Sequence, residues 1–477
     1  MKTTRQNVCI LILGLLGLGL ASCELDVPKE SAGDKYYPER PREQFNAYNM
    51  KTQQYYTLEA VHLAETGRCA VFGETGAGLS LEAAERIAKR FEERIFPDIT
   101  GFFGQGQTYT IGPENKLTLL LLDIRDDYRP NQNAAYTAGY FSANDMPGFG
   151  ESSRSNQRIM LYLDVAPGSP ESEGFYATIA HELQHCLNFA ISVDNRIQWK
   201  DKERMIPLVE NGRITGCQEE WLDEGLSSAA EYLYARDHQW TKVKYFNAVH
   251  THYIENQDFY PSSRISQGNT FYVWSHDDFV YDEYVTAYLF FQWLRIHASN
   301  GAKIYRDIIH SDKTGYEAVT GAAAKYIDPR FSSWETLLET WHLANYVNAP
   351  KGFYGYKGEL EIKTAAIKNT SIPLAAGEGV FSNLVDSTFT APGGAASIRY
   401  TGINAAGEAV GLQSGGPYQK GDRLLTFNVS QNNAAALTET GKLTGRGDLP
   451  ASEAGRSALP GGLSGPFPID RRIPYTE

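Results

Sequence analysis

Tyr176-Ala177-Thr178-Ile179-Ala180-His181-Glu182-Leu183-Gln184-His185-Cys186-Leu187-Asn188-Phe189 is the stretch from which the rest of the chain can be read. Phe175, Ile179, Leu183 and Leu187 recur in steps of four, so the segment is expected to be a buried helix. Ser169-Pro170 upstream offers an N-cap and a first helical position. Within the helix, His-Glu-x-x-His sets two imidazoles one turn apart on one face, where both can reach a single ion, and projects Glu182 beside them toward a water on that ion. His181 and His185 are therefore candidate metal ligands and Glu182 a candidate general base. Two of the five positions are free, so the pattern also arises by chance and its surroundings must decide.

Upstream, Leu81, Ala84, Ile87, Ala88, Phe91 and Ile95 mark an amphipathic helix over residues 80–95. Three apolar segments, 116–124, 135–141 and 158–165, are separated by Asp, Asn, Pro and Gly and read as strands. A sheet just before the His-Glu-x-x-His helix is what the roof of a cleft requires. Downstream lies Trp221-Leu222-Asp223-Glu224-Gly225-Leu226-Ser227-Ser228-Ala229-Ala230-Glu231-Tyr232-Leu233. Hydrolytic zinc commonly takes three protein ligands and keeps one position for water. A second helix presenting a carboxylate completes that set.

Together the two stretches resemble the H-E-x-x-H and W-L-[ND]-E-G helices of gluzincin metallopeptidases, and the HELQH and W-L-D-E-G-L-S forms are most similar to the hyicolysin-type peptidases. Tyr136-Thr137-Ala138-Gly139-Tyr140-Phe141, the Met160 to Asp164 strand and the Tyr284 to Leu294 helix add to the likeness, which covers roughly residues 100–350. The resemblance implies an α+β, zincin-like catalytic domain, zinc as cofactor, Glu224 as third ligand and Glu182 as base. It also implies a tyrosine that stabilises the oxyanion. Tyr284 holds that place, with Tyr281 and Tyr288 on the same face as rivals and plain packing as the alternative in a chain of 29 tyrosines. Asp223 and Glu231 are available to orient the imidazoles or to lie as solvated helix charges; Glu231, two turns beyond Glu224, also competes as a ligand. The G-x-M-E-N segment of aminopeptidases that share the W-L-N-E-G helix is absent upstream of His181, which favours an endopeptidase acting on extended polypeptides, bound by strand addition to the sheet edge. Glu224 follows His185 by 39 positions, more than in those aminopeptidases, and the charged insertion 195–215 is expected to form a loop near the cleft.

The whole chain sets limits on this reading. Its 477 residues suit two or three domains, and a net charge of −13 with no basic stripe excludes non-specific nucleic-acid binding. Lys2 and Arg5 precede an apolar run, Val8 to Leu20, that ends in Leu20-Ala21-Ser22-Cys23. At about 13 residues the run falls short of the ~20 that cross a bilayer. It resembles a bacterial lipoprotein signal, which implies acylation of Cys23 and a lipid-anchored, extracytoplasmic protein of the cell envelope or cell surface. The expected divisions are a signal peptide at 1–22, a tether at 23–42, the catalytic domain at 43–350, a β-rich region at 351–430 and a Gly/Ala/Pro-rich tail at 431–477. Export leaves Cys69, Cys186 and Cys217, of which Cys186 and Cys217 can clamp the two ligand-bearing segments as a disulfide or remain buried free thiols. His250-Thr251-His252 reads as surface histidines. The acidic group Asp123, Asp126, Asp127, Asn131 and Asn133 fails the calcium-loop pattern, and Arg446-Gly447-Asp448 is a chance-prone tripeptide. The rival function is a non-catalytic surface binding lipoprotein that retains the fold, against which an intact Glu182 speaks.

Overall fold

The computed structural model describes residues 37, 39–104, 116–126, 135–149, 154–166, 170–210, 213–261, 263–268, 270–272, 274, 280–367, 374–384, 396–410, 419, 422–430 and 472–474. Its architecture is α+β. β1 (Arg42–Asn49), β2 (Gln54–Glu65) and β3 (Cys69–Glu74) form an antiparallel meander. β4 (Leu117–Leu122) runs parallel to β3. β5 (Ala135–Thr137) leads into β6 (Gly139–Phe141), and β7 (Met160–Asp164) pairs parallel with β4 and antiparallel with β6. The sheet order β1-β2-β3-β4-β7-β6 leaves β6 at one edge, next to the helix that matters most.

Period-two alternation explains why this sheet is buried on both faces. In β4, Leu117, Leu119 and Leu121 join the main core while Leu120 and Leu122 join a second one; β7 divides likewise, with Leu161 and Leu163 on one side and Met160 and Tyr162 on the other. The main core receives α1 (Leu81–Arg90), which continues through a π-helical turn at Phe91–Ile95 into α2 (Phe96–Phe103). α3 (Glu173–Asn195) lies beneath the sheet, burying Ile179, Ala180, Leu183 and Leu187. Its cap is not at Ser169-Pro170 as the sequence suggested. Ser172 adopts extended backbone and its hydroxyl accepts from Phe175 N at 3.1 Å, so the helix begins at Glu173.

The 195–215 insertion folds into two small antiparallel pairs, β8 (Trp199–Asp201) with β9 (Ile206–Pro207) and β10 (Val209–Glu210) with β11 (Arg213–Ile214). Among the described residues six α-helices follow: α4 (Glu220–Ala235), α5 (Trp240–Asn256), α6 (Val280–His297), α7 (Lys303–Ile309), α8 (Gly315–Tyr326) and α9 (Trp334–Val347). Trp221, Phe271, Phe290 and Trp334 form edge-to-face ring contacts that tie α4, α6 and α9 together. β12 (Ala366–Ile367), β13 (Gly379–Asn383), β14 (Ile398–Ile403) and β15 (Arg423–Asn428) build a four-stranded sheet in the order β12-β13-β15-β14. Phe381, Ile403, Leu425 and Phe427 of this sheet lie in the same core as the helices. A last strand, β16 (Arg472–Pro474), pairs antiparallel with β5.

Among the described residues no helix is long and apolar enough to cross a membrane. Cys23 and the signal at 1–22, Asp127, Asn131, Asn133 and Arg446-Gly447-Asp448 lie outside them. One open alternative is decided and one expectation is overturned. Cys186 and Cys217 are free thiols, as is Cys69, so no disulfide joins the two segments that carry the candidate ligands. Cys186 is enclosed in the α3 core, Cys217 is only half-buried in the turn before α4, and burial raises both thiols, Cys217 to about 12. His250 is buried rather than on the surface: its Nδ1 accepts from Ala365 N at 3.1 Å, and burial lowers its pKa to about 3.

Candidate metal centre

α3 and α4 pack side by side, and small residues make their approach possible. Ser227, Ser228, Ala229 and Ala230 are all buried on α4, and Gly225 sits under the Phe291 ring of α6, where a Cβ would stand 2.1 Å from Cε2. Any larger residue there would push α4, the helix that carries Glu224, away from α6. The Gly after Glu224 is therefore a packing requirement of the site.

Between α3 and α4, His181 Nε2 lies 3.2 Å from Glu224 Oε2 and His185 Nε2 lies 3.7 Å from the same oxygen. One ligand atom from each of the three residues falls within 4.8 Å of the others, and all three side chains are buried. Ligands about 2.0–2.1 Å from a tetrahedral zinc ion stand roughly 3.4 Å apart, close to these spacings. Neither His185 Nε2 nor either carboxylate oxygen of Glu224 makes a hydrogen bond among the described residues. Polar atoms so enclosed normally have partners. A divalent cation at the point of convergence fits them, and it also fits the charge, because Glu182, Asp223, Glu224 and Glu231 are all buried here.

The outer nitrogen of each imidazole is held from α4. His181 Nδ1 is 2.8 Å from Glu231 Oε1, and His185 Nδ1 is 3.0 Å from Asp223 Oδ2 and 3.1 Å from Ser227 Oγ. These contacts turn both Nε2 atoms inward. Asn188 Nδ2 donates to Asp223 Oδ1 and Ser227 Oγ to Gln184 Oε1, so the anchors are themselves anchored. Glu231, the rival ligand, therefore stands on the far side of the His181 ring from Glu224. Burial works against a charged His185, but the Asp223 and Glu224 carboxylates outweigh it and raise the imidazole to about 10. Burial drives Glu224 well above the carboxylate range, with His185 opposing. Metal binding here would compete with protons for these groups.

Glu182 lies between the imidazoles on α3 and against the sheet edge. A Cβ built on Gly139 of β6 would be 3.2 Å from Glu182 Cγ, so glycine lets the strand pass directly over this carboxylate. Tyr284 is buried on α6, its ring 4.8 Å from that of Trp274 and 5.7 Å from Lys242 Nζ; that ammonium donates to Ser228 Oγ of α4 at 3.0 Å. The hydroxyl of Tyr288 is engaged elsewhere, by Gln239 N and His238 Nδ1, each at 3.0 Å, while the Tyr281 ring packs on Tyr245. Sequence reasoning does not single out Lys242, Ser227 or Asn188 for these contacts, although Asn188 stands about one helical turn beyond His185 on the same face of α3.

No protein-family model matches the chain. It is similar to the neutral metalloprotease ShpI of Staphylococcus hyicus, at 25% identity over 320 residues. The chain is a distant homologue of a metalloprotease. The match covers 66% of this chain and 64% of that relative, so the chain spans less than two thirds of its length. That likeness and the buried His-His-Glu group both point to a metal cofactor.

Asp223→Asn probes the anchoring of His185. It keeps an oxygen acceptor and removes the charge, so metal affinity is expected to fall about tenfold, the low end for such partners. Titration against a competing chelator measures it.

Proposed function

We propose that the protein is a zinc-dependent endopeptidase of zincin-like fold and hyicolysin type, acting on extended polypeptides. The observation that carries this reading is the convergence of His181, His185 and Glu224, with Glu182 on the same helix and the sheet edge above it. His181 and His185 through Nε2 and Glu224 through a carboxylate oxygen would hold the ion. When bound, zinc acidifies water to a pKa near ~7 and polarises the scissile carbonyl. Glu182 takes a proton from the attacking water onto its carboxylate and passes it to the leaving amine nitrogen. Tyr284 donates its hydroxyl to the developing oxyanion, a role supported by its place on the helix that packs against α4. Asp223 and Glu231 keep the imidazoles in the tautomer that presents Nε2.

The N-terminal signal ending at Cys23 supports a lipid-anchored protein at the cell envelope or cell surface, meeting polypeptides outside the cytoplasm. The test is hydrolysis of a denatured polypeptide before and after chelation, with zinc restored. Activity should vanish with the chelator and return with the metal. Protein that binds no zinc and cleaves nothing after zinc is supplied would leave a non-catalytic binding lipoprotein as the better account.

A further inference from the structure

The strand that leads into the sheet edge beside Glu182 carries a partner of its own: β16 pairs with β5, while β6 ends the six-stranded sheet. β6 is the outermost strand of the six-stranded sheet, and β5 continues its line through Ala138, whose carbonyl still accepts from Asp164 N of β7 at 2.9 Å. Gly139, which opens β6, lies against Glu182 and also against Thr178, whose Cγ2 would be 3.0 Å from a Cβ built there. The strand that passes over the candidate base therefore runs directly into β5. Against β5 lies β16, antiparallel, with Arg472 opposite Thr137, Ile473 opposite Tyr136 and Pro474 opposite Ala135. β16 also touches α6, the helix that carries Tyr284 and packs on α4. A piece of the chain's own C-terminal region thus lies between β5, which leads into the edge strand, and the helical half.

The geometry points to an internal competitor: Arg472–Pro474 pairs with β5 as a surrogate strand and excludes polypeptide from part of the substrate edge. This rests on the peptidase reading above. The pairing is short, and Pro474 has no N–H to donate, so the ladder cannot extend past Ala135 through that residue. Three paired positions bind weakly on their own. Attachment to the same chain makes the pairing intramolecular, which favours even a weak strand over the same strand free in solution. Such an occupant is displaced by substrate, so it alters apparent affinity and leaves bond cleavage untouched.

Three proteins test this: the full chain, the full chain with Ile473→Pro, and a chain ending at residue 471. Ile473→Pro removes the donor opposite Tyr136 and keeps the length. Both variants are expected to show KM for a denatured polypeptide about three- to tenfold lower, with kcat unchanged, on the effective concentrations of a tethered strand. Backbone amides of Ala135 and Tyr136 should exchange with deuterium faster in both. A synthetic peptide of residues 470–477 should raise KM of the shortened chain competitively. Equal KM and equal exchange in all three proteins would overturn the proposal. Faster exchange in the variants with no hydrolysis by any protein would keep the strand pairing and remove the peptidase reading. A concentration-dependent dimer that disappears in both variants would replace the internal competitor with strand exchange between two copies.

Discussion

Glu182→Gln is expected to lower kcat for polypeptide hydrolysis by about 10³-fold, the scale of a lost general base, while zinc content by elemental analysis stays near one per chain. The amide fills the same space and keeps an oxygen acceptor, but it cannot take a proton from water or return one to the amine. At about 1.36 kcal/mol per tenfold, this corresponds to roughly 4 kcal/mol of transition-state stabilisation. The fold should survive: Glu182 is enclosed beneath Gly139, and the substitution adds no atom to that contact. Removing one buried carboxylate also lessens the repulsion acting on Glu224. Metal retention with loss of turnover identifies a base. Metal lost together with turnover would mean that Glu182 holds the ion or its surroundings, and the role assigned to it would fall.

The features visible in the sequence were those carried by a local period or a local motif. α3 could be read because its apolar residues recur every four positions and the His-Glu-x-x-His spacing fits one helical turn; the strand positions of β4 and β7 followed from aliphatic runs bounded by turn residues. β1 and β2 carry a weaker signal. Their buried residues, Phe45 and Ala47, Leu58 and Ala60, alternate with polar ones, a signal that was present but lies among Gln, Asn, Tyr and Thr. The division of labour between Glu224 and Glu231 was beyond the reach of spacing, because both lie on one face of α4 and only the placement of α3 decides which imidazole nitrogen each meets. β16 was invisible for a related reason: three residues with no period of their own become a strand only because β5 offers an edge.

α4 organises the site more than its one candidate ligand suggests. It supplies Glu224 at the point of convergence, Asp223 one residue before it against His185, and Glu231 two turns later against His181. Gly225 and the small residues after it let this helix lie close to α3 and α6 at once. A displacement of α4 would therefore alter all three contacts together, so metal binding and the packing of α3 on α4 are expected to be coupled.

Glu224→Ala is expected to lose zinc and activity together, with affinity lowered by more than the roughly 10²-fold that losing an outer carboxylate can cost. The substitution removes the oxygen that approaches both Nε2 atoms and leaves two imidazoles, too few to hold zinc firmly. Glu231→Ala is the informative comparison, since it removes the partner of His181 Nδ1 and leaves the three inward donors in place. Its affinity should fall about 10- to 100-fold, and activity should return when zinc is raised to saturation. Cobalt substitution separates the two variants further. At saturating metal the visible spectrum of Glu231→Ala should keep the intensity and shape of the parent protein, whereas Glu224→Ala should differ because a carboxylate has left the coordination sphere. The opposite pattern, with Glu224→Ala retaining metal and the parent spectrum while Glu231→Ala loses both, would transfer the ligand role to Glu231 and require the His181 ring to turn so that Nδ1 faces the ion.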